Sequence, residues 1–156
     1  MSKMDLIDRK LLDAVQQDAH LTADQLGAAC GLSPTAALKR LKKLRSDGVI
    51  EKETAVISPK ALGLNIMAIV LVTLEREDRT VIERFAQDVR TTPQITQGFY
   101  ITGEADYVLT IVARDMDDYD EFTRSFFYDR HRIKSFKTCI VINVLKSGSA
   151  MPILDP

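Results

Sequence analysis

The sequence predicts an α+β chain in two parts, and three observations carry that prediction. Up to residue 57 the apolar residues recur at helical spacing between clear cap signals; from Ile66 the spacing becomes that of strands; and the later elements follow the order βαββαβ. Residues 58–65 read as the linker between a domain at 1–57 and one at 66–146, with a tail at 147–156.

The first helix is predicted from Asp5 to Asp18, with Ile7, Leu11, Leu12 and Val15 facing inward and Asp5 and Asp8 placed to cap its first turn. Thr22-Ala23-Asp24-Gln25 is a capping box that opens a short second helix, whose inward residues are read as Leu26 and Ala29. Ser33 caps a third helix with Pro34 at its first position, where a missing N–H costs nothing. Two helices joined by Gly31-Leu32-Ser33, with a preceding helix to complete the core, make a helix-turn-helix. Val49 to Ile57 suits a small hairpin or wing that closes the domain.

The third helix carries five basic side chains between Lys39 and Arg45 with no acidic residue among them. Stepping about 100° per residue from Leu41 puts Leu38 and Leu44 on its side, with Ala37 beside them. Thr35, Ala36, Lys39, Lys43 and Ser46 fall on the far side, and Arg40 and Lys42 on the two flanks. Small residues at the N-terminal end allow close approach to base edges, and long cations can reach phosphates. The candidate DNA-contacting residues are therefore Ser33, Thr35, Ala36, Lys39, Arg40, Lys42 and Lys43. A merely solvated basic face is the competing reading of such a run.

The linker is marked by Pro59, Gly63 and polar neighbours. Ile66 to Leu74 is a nearly continuous apolar run, expected of a strand with both faces covered. A helix over Thr80–Arg90 follows, then strands at Ile95–Thr102 and Tyr107–Ala113 around the turn Gly103-Glu104-Ala105-Asp106. Met116–Tyr128 is a helix with Met116, Tyr119, Phe122, Phe126 and Phe127 available to its inner side, and Ser135–Leu145 is the last strand. The whole is a winged helix-turn-helix followed by a ferredoxin-like domain.

A hydrophobic fraction of 46% over 156 residues suffices for a core without disulfides or metal. The net charge of -1 means that any nucleic-acid affinity comes from a local patch. Cys30, Cys139, His20 and His131 show no zinc or redox spacing, so no metal or cofactor is expected. No nucleophile with an adjacent base and no phosphate-cradling glycine loop points to an enzyme. Without a leader or a long apolar run, the protein is expected to be cytoplasmic and not in a membrane.

Met4-Asp5, Asp8, Leu11-Leu12, Leu26, Gly31 to Thr35, Leu44 and Asp47-Gly48-Val49-Ile50 in the first half form a recognisable pattern. In the second half Gly103-Glu104-Ala105-Asp106-Tyr107 fits G-x-x-D-Y, with Asp115-Met116, Tyr119, Thr138 and Lys146 also in place. On these residues the chain resembles the Lrp/AsnC, or feast/famine, transcriptional regulators. The resemblance implies a regulatory domain that dimerises through its sheet, often assembling further into tetramers or octamers. It also implies a small effector, commonly an amino acid, bound between regulatory domains near the G-x-x-D-Y turn. By position the effector residues would be Gly103 and Asp106, with Tyr100, Ile101, Thr102 and Glu104 as neighbours. Gly103 permits a close approach of ligand to backbone, and Asp106 could offer a charge to an amino group. Alternatively, both simply shape the turn.

Where many members have an apolar-Pro-Gly turn, this chain has Asp129-Arg130-His131-Arg132. The tail from Ser147 reads either as packing on a partner or as disorder. The expectation is a homo-oligomer that sets its basic helices in successive major grooves of double-stranded DNA under effector control. An effector-independent architectural DNA-binding protein is the alternative.

Overall fold

The structure, a computed structural model, describes residues 4–75, 78–128, 133–148 and 150–153. The chain divides into two compact units. One comprises the residues up to Val56 with the C-terminal segment from Lys146; the other is Ile57–Leu145. The Asp129–Arg132 departure and His131 lie outside the described residues.

The first unit is built from α1 (Leu6–Gln17), α2 (Ala23–Cys30) and α3 (Pro34–Ser46), each starting where its cap dictates. Asp5 accepts the Asp8 N–H at 2.8 Å and Asp8 accepts the Asp5 N–H at 3.3 Å. Thr22 and Gln25 make the same reciprocal box for α2, and Ser33 accepts the Ala36 N–H at 3.3 Å for α3. Each such cap contributes about 1 kcal/mol. Leu11, Leu26, Cys30, Ala37, Leu41 and Leu44 form the core, with Leu12, Val15, Leu32 and Ile50 packed around it.

Three expectations for this unit are corrected. Ala29 is exposed, and the inner side of α2 is Leu26, Gly27 and Cys30. A Cβ on Gly27 would lie 2.7 Å from the Leu32 carbonyl oxygen and 3.2 Å from the Pro34 nitrogen, so the helix-turn-helix closes this tightly only without a side chain there. Leu38 is 47% exposed, because the buried stripe of α3 runs Ala37, Leu41, Leu44 and leaves Leu38 to one side. Finally, residues 51–58 pair with no strand, so the expected hairpin is absent. The segment has no Asn-Gly or Asp-Gly pair to reverse the chain, and Glu53 is tied instead to Arg45 at 2.8 Å.

In the second unit, Pro59–Leu62 makes one tight 3₁₀ turn within the linker. There follow β1 (Ile66–Leu74), α4 (Arg79–Thr91), β2 (Ile95–Tyr100), β3 (Tyr107–Ala113), α5 (Met116–Thr123) and β4 (Ile133–Ile140). This is the expected βαββαβ order, in one antiparallel sheet arranged β2-β3-β1-β4. Val70 pairs with Leu109 and both are fully buried beneath Phe85, Phe122 and Phe126 of the helical layer. A π turn, Arg124–Tyr128, extends α5 and buries Phe126 and Phe127, whereas Met116, at the first position of α5, is half-exposed rather than inward.

Strand β1 is not covered on both faces within one chain. Buried Ala68, Val70, Val72 and Leu74 alternate with half-buried Met67, Ile69, Leu71 and Thr73, and Phe99 of β2 lies 53% exposed opposite Val108. The sheet thus has a helix-covered face and a largely apolar helix-free face. Strand β4 also ends earlier than expected. Its partner β1 begins at Ile66, so after the Val141 N–H to Met67 carbonyl bond of 2.8 Å no ladder remains, and Ile142 is wholly exposed. The C-terminal segment binds its own chain: Gln16 both donates to the Met151 carbonyl at 3.0 Å and accepts the Met151 N–H at 2.9 Å.

Candidate nucleic-acid interface and effector turn

Helix α3 is fixed by its buried stripe and so presents a defined outer surface. Ser33 is used as the cap, Thr35 is exposed, and Ala36 is half-buried. Lys39, Lys42 and Lys43 are exposed and, among the described residues, make no ion pair. A shallow depression along this surface is lined by Ala36, Lys39, Arg40, Lys42, Lys43 and Ser46. Side chains that approach without a carboxylate partner are the ones able to displace counterions from a phosphate backbone.

Arg40 differs from the lysines. Its Nη1 lies 2.6 Å from Asp5 Oδ2 and 2.9 Å from Asp8 Oδ1, so its charge is engaged by α1 rather than presented outward. By local spacing Asp5 and Asp8 are caps of α1; in the fold they both cap that helix and hold Arg40. The pairing fixes how α3 lies across the start of α1.

The Asp8 backbone N–H and the Arg40 guanidinium hold the Asp5 carboxyl below its ordinary value of 3.8. The folded state therefore binds the proton more weakly than the unfolded chain, so the contribution is present at neutral pH and is lost as pH falls through the folded value. Hydrogen exchange in α1 and α3 is expected to accelerate as pH drops below about 4, after correction for intrinsic rates, and Asp5→Asn is expected to flatten that dependence. An equally steep acid limb in the variant would contradict this role.

The second candidate site is the turn between β2 and β3. Gly103 has φ 139°, a conformation that favours glycine, and Thr102, Gly103 and Glu104 are exposed. Ile101 is half-buried, and Tyr100, 62% exposed, stacks at a tilt on Tyr107 with ring centroids 5.1 Å apart. Asp106 does not hold its carboxylate out to a ligand as expected. Its Oδ2 accepts the Leu74 N–H at 2.7 Å, its N–H donates to the Val72 carbonyl at 2.9 Å, and its carbonyl accepts the Ile101 N–H at 2.8 Å. Asp106 thus pins the turn to the end of β1, a job that needs a partner distant in sequence and was not visible from spacing.

Two family models fit these two sites in order. Winged helix-turn-helix DNA-binding covers residues 4–51, and the Lrp/AsnC ligand binding domain covers residues 67–151. The chain belongs to the Lrp/AsnC family. It is 47% identical to an uncharacterised HTH-type transcriptional regulator of Sinorhizobium fredii, over 97% of this chain and 89% of that one. It is 34% identical to the transcriptional regulator AzlB of Bacillus subtilis, over 96% of each. A transcriptional regulator of Neisseria meningitidis, solved as a complex with L-methionine, superposes with a TM-score of 0.91 at 29% identity over 97% of both chains.

This Lrp/AsnC protein is accordingly a DNA-binding transcriptional regulator with a ligand-binding domain, and its relatives are regulators rather than enzymes. Among the described residues no helix is long and apolar enough to cross a membrane.

Proposed function

We propose that the protein is a homo-oligomeric, sequence-specific regulator whose grip on DNA is set by an amino acid bound between regulatory domains at the Tyr100–Asp106 turn. The observation that carries the DNA-binding half is the group Lys39, Lys42 and Lys43, exposed and without an ion pair among the described residues, on a helix anchored by Ala37, Leu41 and Leu44. Pairing of two copies is supported by the helix-free sheet face, where Ile69, Leu71, Val108 and Phe99 offer apolar surface that one chain leaves uncovered. The amino-acid effector is supported by the methionine complex of the Neisseria relative. In this chain Thr102, Gly103 and Glu104 would meet the ligand, while Asp106 holds the backbone that carries them.

Titrating a promoter-length duplex at several salt concentrations tests the reading. Each phosphate contact contributes roughly 0.9 to the slope of log K against log salt, so replacing Lys39 and Lys43 by alanine in both copies of a DNA-bound pair, four lysines in all, is expected to reduce the slope by about 3.6. An unchanged slope would remove α3 from the interface. Repeating the titration with L-methionine and the other amino acids is expected to shift the midpoint for at least one of them, because an effector must bind the two DNA-binding arrangements unequally. No shift with any would leave an effector-independent DNA-binding protein.

A further inference from the structure

The outer surface of α3 has two parallel stripes. Lys39, Lys43 and Ser46 form one; Thr35, Leu38 and Lys42, at spacing i, i+3, i+7, form the other. The first begins with two cations, and the second runs from neutral residues at its N-terminal end to a cation. Leu38 is the anomaly among them. It is 47% exposed, whereas Leu41 and Leu44 of the same helix are 3% and 6% exposed, and it is not among the residues packed on the core.

We infer that Leu38 is a specificity-determining residue that packs on a thymine C5-methyl group in the major groove. The inference rests on the reading of α3 as the DNA-facing helix. In helix-turn-helix docking the N-terminal residues of the second helix meet base edges, and Leu38 is the fifth residue of α3. Thymine alone presents a methyl group in the groove, and apolar side chains are its complement. The neighbours of Leu38 fit this placement. Thr35 lies one turn before it on the same stripe, and Lys42 lies one turn after, in reach of a phosphate. On the opposite flank Arg40 is held by Asp5 and Asp8, so the guanidinium that would otherwise seek guanine is withheld from that side. The helix therefore offers the bases an apolar contact rather than an arginine fork.

The test begins with duplexes enriched by the full-length protein from a random-sequence pool at fixed salt. A thymine is expected at one fixed position of each half-site. Replacing that thymine by uracil in one half-site deletes only one methyl group, and wild-type affinity is expected to fall about fourfold, the equivalent of one buried methyl-sized group. Leu38→Ala, at an exposed position and with its melting temperature checked, is expected to bind the thymine and uracil duplexes equally. Absence of an enriched thymine, unchanged wild-type affinity on uracil substitution, or full thymine preference in Leu38→Ala would each overturn the inference. The salt slope of Lys39→Ala with Lys43→Ala separates the causes. A reduced slope without thymine discrimination sinks only the role of Leu38, whereas an unchanged slope sinks the reading of α3 itself.

Discussion

Leu41→Ala is expected to weaken DNA binding at least tenfold while leaving the βαββαβ unit folded. Leu41 is 3% exposed at the centre of the buried stripe of α3 and packs among Leu11, Leu26, Ala37 and Leu44. Removing its isobutyl group leaves a cavity and costs about 2–5 kcal/mol. A unit this small has a total stability of the same order, so a large share of molecules would lose the three-helix arrangement. The lysines would remain in the sequence but no longer on a fixed surface. Fluorescence anisotropy on a labelled duplex should show at least a tenfold loss of affinity. Hydrogen exchange should show α1–α3 open while β1 and β3 stay protected. Wild-type affinity in Leu41→Ala would mean that α3 does not need this core to present its cations.

The contrast between Leu41 and Leu38 shows what kind of information the sequence holds. Helix starts were legible because a cap is a local transaction: Asp5 with Asp8, Thr22 with Gln25, Ser33 with Ala36 all lie three residues apart. The βαββαβ order was legible because it follows from changes of hydrophobic period, and the edges of β1 came out as read. The exact buried stripe of α3 was not. Three leucines within one broad arc looked equivalent, and only the tertiary approach of α1 and α2 chose Ala37 over Leu38 as the residue facing the core.

The same limit applies to the charged and polar residues of the two sites. Arg40 looked like one more candidate for DNA because its partners Asp5 and Asp8 stand 35 and 32 residues away. Asp106 looked available to an amino group because Leu74, whose N–H it accepts, is 32 residues distant. Gly27 gave no signal at all, since the backbone it lies against, Leu32 to Pro34, arrives only when the turn closes. In each case the deciding partner is supplied by the fold, from a part of the chain the local sequence does not point to.

Phe85→Ala is expected to be the mirror image of Leu41→Ala, unfolding the ligand-binding unit first. Phe85 of α4 is fully buried, with its ring centroid 4.7 Å from that of Tyr107 and 5.8 Å from that of Phe126. Truncation costs about 3–5 kcal/mol, and the cavity opens beside the residue that follows Asp106. Tyr107 would lose the packing that holds the end of the effector turn, while the Asp106 bond to Leu74 alone cannot replace a lost aromatic contact. Differential scanning calorimetry should show the transition of this unit falling well below that of α1–α3, and any melting shift produced by an amino acid in the wild type should disappear. Because Leu41 and Phe85 belong to separate cores with no shared member, the two costs are expected to add to within about 0.5 kcal/mol in the double variant. A much larger departure would show that the two cores do not unfold independently within one chain.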